Sequence, residues 1–412
     1  MMLRKKILLI SYHYENSDST GALRPKAMAK YLPQFGVDVT VLAYCPQRDA
    51  ILFNGDIVSV RDLTCETVPP AIYYLWRIWL MVLRFFRVHR GIHSHWKNTV
   101  LSNADQIIQY TKPDAILATY SPIEAMEIGV ALSEKYHIPL IADFRDGLLF
   151  EPLEEENLRY LATKRRYENI ERKIAQKAHL IVTVSEPIST YFRECYAHSN
   201  VMTLHNGFDP DDIAPDASVE LPAEIINFVH TGRLSGSRFG TSEKGRGVDA
   251  LAAALNGLLE RSPSIKNKFQ LHFVGHLLQV EKRMLATLAE RGLVNLWGHQ
   301  SRAKALAFQR KADVLLLITA PDKASIATGK IFEYLAAGKP ILALTRGTEA
   351  AQIVRETGSG IVVDPENSHE IAAVIEEMVL NNGHISSPSR EVIAQFDRNK
   401  QMGRLATRIR QI

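Results

Sequence analysis

Short runs rich in Val, Ile and Leu, separated again and again by helix-length segments, constrain this chain more than any other feature. In the first half they are KILLISY (6–12), VDVTVLAY (37–44), DAILAT (114–119), PLIADF (139–144), LIVTVS (180–185) and VMTLHNG (201–207). In the second half they are NFVHTG (227–232), LHFVG (271–275), ADVLLLI (312–318), KPILAL (339–344) and GIVV (360–363). Continuous apolar runs joined by helices mark parallel strands buried on both faces. There are too many for one ordinary doubly wound sheet. The stretch DPDDIAPDASVELPAE (209–224) is acidic, contains proline and lacks periodicity, so it reads as a linker between two sets. The expected fold is therefore α/β, with two Rossmann-like domains in tandem facing across a cleft. Ligands of such sheets bind beyond the carboxyl ends of the strands.

A length of 412 residues suits two domains, and 46% hydrophobic with 23% charged residues suits an ordinary globular protein. The net charge of +4 is too small to draw in nucleic acid by bulk attraction. Cys45, Cys65 and Cys195 lack metal-ligand spacing and make no disulfide framework, which fits a reducing compartment. The opening MMLRKKILLISYHY lacks a small-residue cleavage site and reads as a first strand rather than a signal peptide. No apolar stretch reaches the roughly 20 residues of a membrane span. A cytoplasmic location is expected.

The strand ends carry the chemistry. After the first strand, Gly21 precedes a helix, and a helix N-terminus after a glycine turn is a ready anion site, although a plain turn and cap fit as well. The dinucleotide fingerprint G-x-G-x-x-G is absent, which argues against a nicotinamide or flavin enzyme. The segment HTGRLSGSRFGTSEKGRGVDALAAAL (230–255) sets Arg233 and Lys244 around a glycine-rich loop, with Arg238 and Arg246 less specific members of the cluster. Such a loop suits a diphosphate; a solvated charged loop is the alternative. In TGKIFEYLAAGKPILAL (328–344), a helix beginning after Thr328 would offer the N–H groups of Gly329 and Lys330, with the lysine's charge, to an anion. Glu333, one turn on, could accept both hydroxyl protons of a ribose. The competing reading is a Lys330–Glu333 salt bridge within the helix.

Asp143, Arg145 and Asp146 stand at or beyond a strand end, where carboxylates could orient or deprotonate an acceptor hydroxyl. A self-satisfied Asp–Arg pair bracing the loop fits equally. His13 after the first strand is a further candidate. His89, His93 and His95 lack helical spacing and a nearby acidic or cysteine partner in sequence, so no metal site is expected. Residues 71–100 are aromatic, apolar and basic, and no Asp or Glu occurs between Glu66 and Asp105. Trp76, Arg77, Trp79, Arg84, Phe85 and Arg87 suggest a helix lying in an anionic membrane interface. A helix packed on the sheet with its arginines reaching outward is the alternative.

These motifs together resemble one family. The Gly21 loop, DFRDG (143–147), AHLIVTVSEPISTYF (178–192), LHNGFD (204–209), TGR (231–233) with Lys244-Gly245, and GKIFEYLAAGKPILAL (329–344) are similar to GT-B fold glycosyltransferases of family 4, over essentially the whole chain. The resemblance implies an acceptor-side domain over 1–210 and a nucleotide-sugar domain over 222–385. It further implies that 386–412 ends in a helix packing back on the first domain. By match, Arg233 and Lys244 hold the donor diphosphate and Glu333 the donor ribose.

Two positions depart from the family pattern. Ser325 stands where the paired-glutamate motif has its other glutamate, leaving the backbone at Ala327, Thr328 or Gly329 to reach the sugar. Asp143 stands where many members carry a histidine; from their places at the strand ends, Asp143, Asp146 and His13 are the expected catalytic set. The implied reaction is transfer from a nucleotide diphosphate sugar with retention and without a metal or other cofactor. The departing phosphate oxygen could itself take the acceptor's proton. The expected acceptor is a lipid-linked saccharide on the inner membrane face, for a cell-surface polysaccharide. The alternatives are a nucleotide-sugar 2-epimerase of the same fold and a catalytically silent binding subunit.

Overall fold

The computed structural model describes residues 4–15, 20–46, 50–62, 74–75, 78, 93–152, 161–213, 218–234, 248–383 and 390–412. Two compact units divide the chain: Met1–Asn206 with Arg398–Ile412, and Gly207–Asp397. Each is built on a sheet of its own.

The first unit's strands are β1 (Lys5–Ile10), β2 (Val37–Tyr44), β3 (Ile51–Asn54), β4 (Ile57–Val60), β5 (Ala115–Tyr120), β6 (Leu140–Phe144), β7 (Ala178–Thr183) and β8 (Val201–Thr203). They lie in the order β3-β4-β2-β1-β5-β6-β7-β8. All neighbours are parallel except the β3–β4 pair. The apolar runs explain this: β5 and β6 are buried at every residue, because each face of the sheet carries a core. On one face Leu8, Ile116, Phe144 and Phe192 pack together, and on the other Ile7, Leu9, Leu117 and Val182.

The second unit holds β9 (Ile226–Thr231), β10 (Phe269–Val274), β11 (Val294–Gly298), β12 (Val314–Ile318), β13 (Ile341–Leu344) and β14 (Gly360–Val363). Their order is β11-β10-β9-β12-β13-β14, parallel throughout. The reversal of direction beside β9 makes the carboxyl end of that strand the natural ligand position.

Three strands escaped the apolar-run reading: β3 and β11, which lie at sheet edges, and the short β4 between β3 and β2. β3 and β4 form an antiparallel hairpin closed by Asn54-Gly55, with Gly55 in the left-handed region (φ +56°) that such a turn requires. β11 is mostly exposed or half-exposed beyond Val294, so its sequence is mixed rather than apolar.

The connecting segments divide by what they bury. Phe208, just before the acidic 209–224 stretch, and Val219 within it are buried in the second unit's core, and the stretch falls in that unit. Ile393 and Phe396 enter the same core. After them the helix Arg398–Arg410 buries Met402, Leu405, Ala406 and Ile409 with Met28 and Tyr31 of the first unit. Backbone pairing of Phe208 with Asp397 places the chain's two crossing points side by side, with Phe208 N–H donating to Phe396 O at 3.0 Å.

Candidate donor and acceptor sites

On the second unit the site grows from the end of β9. Gly232 follows the strand at φ +86°, a conformation that favours glycine, and its N–H donates to Val274 O at 2.8 Å. The next loop comes equally close: a Cβ on Gly275 would stand 2.2 Å from Gly232 O. Two strand-end loops are thus stacked backbone on backbone. Lys330 lies over them. A Cβ on Gly232 would meet Lys330 Cε at 2.8 Å, and the ammonium donates to Arg233 O. Burial pulls the Lys330 ammonium down to about 8, with Glu333 and Glu281 opposing the fall. The same cation, after burial, keeps His230 neutral; its Nδ1 lies 2.9 Å from Leu316 O.

Lys330 opens the helix Gly329–Ala337, which buries Ile331, Phe332, Tyr334 and Leu335 and stops at Gly338 in the left-handed region. Its apolar stripe seats it on the sheet, so its first turn is fixed beside the β9 loop. Thr328 precedes the helix without capping it, and its buried Oγ1 has no hydrogen-bond partner among the described residues. Gly329 is exposed, and a Cβ there would touch nothing within 4 Å, so a ligand can approach the helix end.

Glu333 does not pair with Lys330. Its Oε1 accepts from Arg302 Nη1 at 2.7 Å and its Oε2 from Gln309 Nε2 at 3.1 Å. Gln309 also donates to Thr231 Oγ1 at 2.9 Å, and Tyr334 OH accepts from Thr231 N–H at 3.0 Å. A shallow depression lined by Phe208, Leu306, Gln309, Glu333 and Ala336 lies beside this network. Arg302 and Gln309 went unnoticed in the sequence because nothing marks them there; only the packing of their helix, Arg302–Lys311, against Gly329–Ala337 brings them to Glu333.

On the first unit the carboxyl ends of the strands also gather charge. Asp143 on β6 is completely buried. Arg24 donates to it from Nη2 at 2.6 Å and from Nε at 3.0 and 3.1 Å, and Thr119 Oγ1 donates at 2.8 Å. Arg24 Nη1 continues to the carbonyls of Leu204 at 2.6 Å and His205 at 3.2 Å. Asp143, expected to handle the acceptor, is enclosed by these partners, and a carboxylate so covered ties the helix Thr20–Tyr31 to the sheet. Its arginine partner is Arg24, distant in sequence, rather than Arg145.

Arg145 instead donates to Gly21 O and, at 2.9 Å, to Ser121 O. A Cβ on Gly21 would stand 2.7 Å from Arg145 Nη1, so the glycine makes room for an arginine of the same unit. Asp146 is partly exposed, and its carboxylate has no hydrogen bond among the described residues. Burial raises it to about 6 against the pull of Arg145 and Arg24, with Asp143 adding to the rise. His13 is partly buried, edge-on to Tyr12 at 5.0 Å. Tyr12 OH donates to buried Asp62 at 2.9 Å, and that carboxylate lies 3.1 Å from His93 Nδ1 and 3.9 Å from His95 Nδ1. The fold thus supplies the acidic neighbour these histidines lack in sequence. Among the described residues no group of three His, Cys, Asp or Glu is arranged to hold a metal ion.

Two family models match the chain: Glycosyltransferase Family 4 over residues 26–212 and Glycosyl transferases group 1 over residues 235–381. Between them they take in most of both units. The chain belongs to the GT-B glycosyltransferases of family 4.

Solved structures agree with that fold. The chain is similar to a trehalose-6-phosphate protein from E. coli bound with UDP-2-fluoro glucose, at 14% identity and TM-score 0.60, covering 99% of each chain. It is similar to HepE of Anabaena in complex with UDP-glucose, at 17% identity and TM-score 0.57, over 99% of this chain and 100% of that one. It is also similar to a UDP-forming trehalose-phosphate synthase of Burkholderia xenovorans, at 12% identity and TM-score 0.62, over 99% of each. No curated protein matches the sequence. The glycosyltransferase is thus an enzyme whose reaction class is transfer of a sugar from a nucleotide-sugar donor. Lys244, Trp76, Arg77, Trp79, Arg84, Phe85 and Arg87 lie outside the described residues.

Proposed function

We propose that this glycosyltransferase moves a sugar, with retention, from a nucleoside diphosphate sugar to a hydroxyl of a lipid-linked saccharide during assembly of a cell-surface polysaccharide. The observation that carries the reading is the first turn of Gly329–Ala337. A cation and an exposed glycine meet the end of β9, and a carboxylate follows one turn later. Lys330, Arg233, Lys244 and the helix N–H groups receive the two phosphates, with Thr328 beside them, and Glu333 receives the ribose. Positive groups placed on the leaving diphosphate stabilise its developing charge without a divalent ion. Uridine is the first base to test, since the E. coli and Anabaena relatives hold uridine nucleotides. Asp146, a partly exposed carboxylate just beyond the end of β6, is the group assigned to take the acceptor's proton. His13, after the first strand, is assigned to help orient the acceptor.

A membrane-borne acceptor is supported by exposed apolar side chains. Tyr74, Leu75 and Ile78, each helical, are 63%, 66% and 52% exposed and belong to the arginine-rich segment. Among the described residues no helix is long and apolar enough to cross a membrane. The protein would then attach peripherally to an anionic inner face.

The test is a panel of nucleotide sugars incubated with and without membrane lipid extract, in the presence of a chelator. Acceptor-dependent release of nucleoside diphosphate is expected. Isomerised donor without acceptor would make the enzyme a 2-epimerase, and saturable binding without turnover a silent subunit. Complete loss with EDTA, restored by magnesium, would overturn the metal-free reading. Sedimentation with anionic liposomes, relieved by salt, is expected in parallel. If the protein stays in solution, a soluble acceptor replaces the lipid-linked one.

A further inference from the structure

Gln309 occupies a position where packing alone would favour an apolar side chain. It is 1% exposed, on a helix that also buries Leu306, Ala307 and Phe308. Glu333, when ionised, offers only acceptors, so the amide must turn its Nε2 toward it. That nitrogen then serves both Glu333 Oε2 (3.1 Å) and Thr231 Oγ1 (2.9 Å). The opposite atom, Oε1, is buried without a hydrogen-bond partner among the described residues. A buried orphan acceptor weakens the fold. What the glutamine supplies in return is a link between the ribose-reading carboxylate and the last residue of β9, next to the Gly232-Arg233 loop.

Arg302 poses the same question at the other end of Glu333. It is the first residue of its helix, where a cation is disfavoured by the helix dipole. There it donates to Glu333 Oε1 at 2.7 Å. A carboxylate has about four acceptor sites on its two oxygens. Arg302 takes one and Gln309 another, on different oxygens, leaving one on each. A cis diol presents two O–H groups side by side, which fit those two remaining sites without displacing either holder.

We propose that Gln309 and Arg302 are positioning residues that hold the Glu333 carboxylate at its two ends to read a ribose diol. Through Thr231, Gln309 also couples that reading to the diphosphate loop. The proposal rests on the donor reading given above and narrows it to ribonucleotides.

The experiment measures dissociation constants for UDP and GDP and for their 2′-deoxy forms, with the full-length parent, Gln309→Met and Arg302→Gln. The parent is expected to prefer the ribo form of its nucleotide by about ten- to a hundredfold. Gln309→Met should cut that preference about tenfold and Arg302→Gln severalfold. Deoxynucleotide binding should change far less, which a general loss of folding would not produce. Arg302 is 41% exposed, so its variant reports on the clamp even if the buried Gln309→Met unfolds. If the parent binds none of the four nucleotides, the donor reading falls and this inference with it. If the parent discriminates and both variants discriminate equally well, the donor reading stands and the clamp is overturned.

Discussion

Asp143 and Glu333 are both carboxylates at the ligand-binding end of a Rossmann-like sheet, and each meets an arginine in a close ion pair. Their surroundings separate them. Asp143 is 0% exposed, with Arg24 and Thr119 crowding both oxygens. Glu333 keeps 21% of its side chain open and has one neighbour on each oxygen. What decides function is therefore the acceptor capacity left over, not the presence of charge at a strand end. A carboxylate that is used up braces the fold, and one with capacity to spare can bind.

The sharpest way to break this comparison is to remove each carboxylate in turn. Asp143→Ala leaves Arg24 charged, buried and unpaired, a change that costs about 3–5 kcal/mol of stability. Denaturant unfolding checks it. Glu333→Ala should cost little stability and instead weaken nucleotide binding by about 1.5–3 kcal/mol, the value of hydrogen bonds to a charged group. If Asp143→Ala folds like the parent but loses turnover, Asp143 is catalytic after all and the distinction by acceptor capacity fails.

The same contrast shows what could be read in the sequence. The central strands were legible because burial on both faces leaves an uninterrupted apolar run, as in Val314–Ile318. The edge strands β3 and β11 were not, since exposed positions interrupt their apolar residues. Lys330 and Glu333 were legible as charges in an apolar unit, but the partners that Glu333 takes instead of Lys330 lie elsewhere in the chain. Arg302 is 31 residues from Glu333, and Arg24 is 119 residues from Asp143. No local spacing rule reaches such distances. Gly21 was read as an anion site at a helix start, and the group that packs against it is Arg145, again a tertiary fact.

Asp146 sharpens the comparison, because it is a third carboxylate with neither Asp143's full set of partners nor Glu333's clamp. Its folded carboxyl stands at about 6, above the unfolded value, so the folded state prefers the protonated form. Stability from this group is complete below about pH 4 and is lost as pH rises through about 6, a fall of about 1–3 kcal/mol. Asp146→Asn should abolish that fall and be more stable than the parent at pH 7.5. Turnover of the parent should climb through about pH 6 as the base ionises, and Asp146→Asn should lose both the climb and most of the rate. Parallel pH–stability curves for parent and variant would show that Asp146 does not carry this pH dependence.

Lys330 gives the smallest effect and the most specific one, since it carries the comparison from carboxylates to their opposite charge. Burial leaves its ammonium at about 8, so the free enzyme is still mostly protonated at pH 7 and mostly neutral at pH 9. A diphosphate beside it favours the charged form and raises that value again. Binding should therefore take up almost no proton at pH 7 and more than half a proton near pH 8.5–9, and affinity should weaken by about tenfold at pH 9. Calorimetry in buffers of different ionisation enthalpy measures the uptake directly. An arginine cannot be deprotonated in this range, so Lys330→Arg should bind without proton uptake and with a flat pH dependence. If the parent already shows that flat dependence, the phosphates do not meet Lys330. The anion must then be held by Arg233 and the helix end alone.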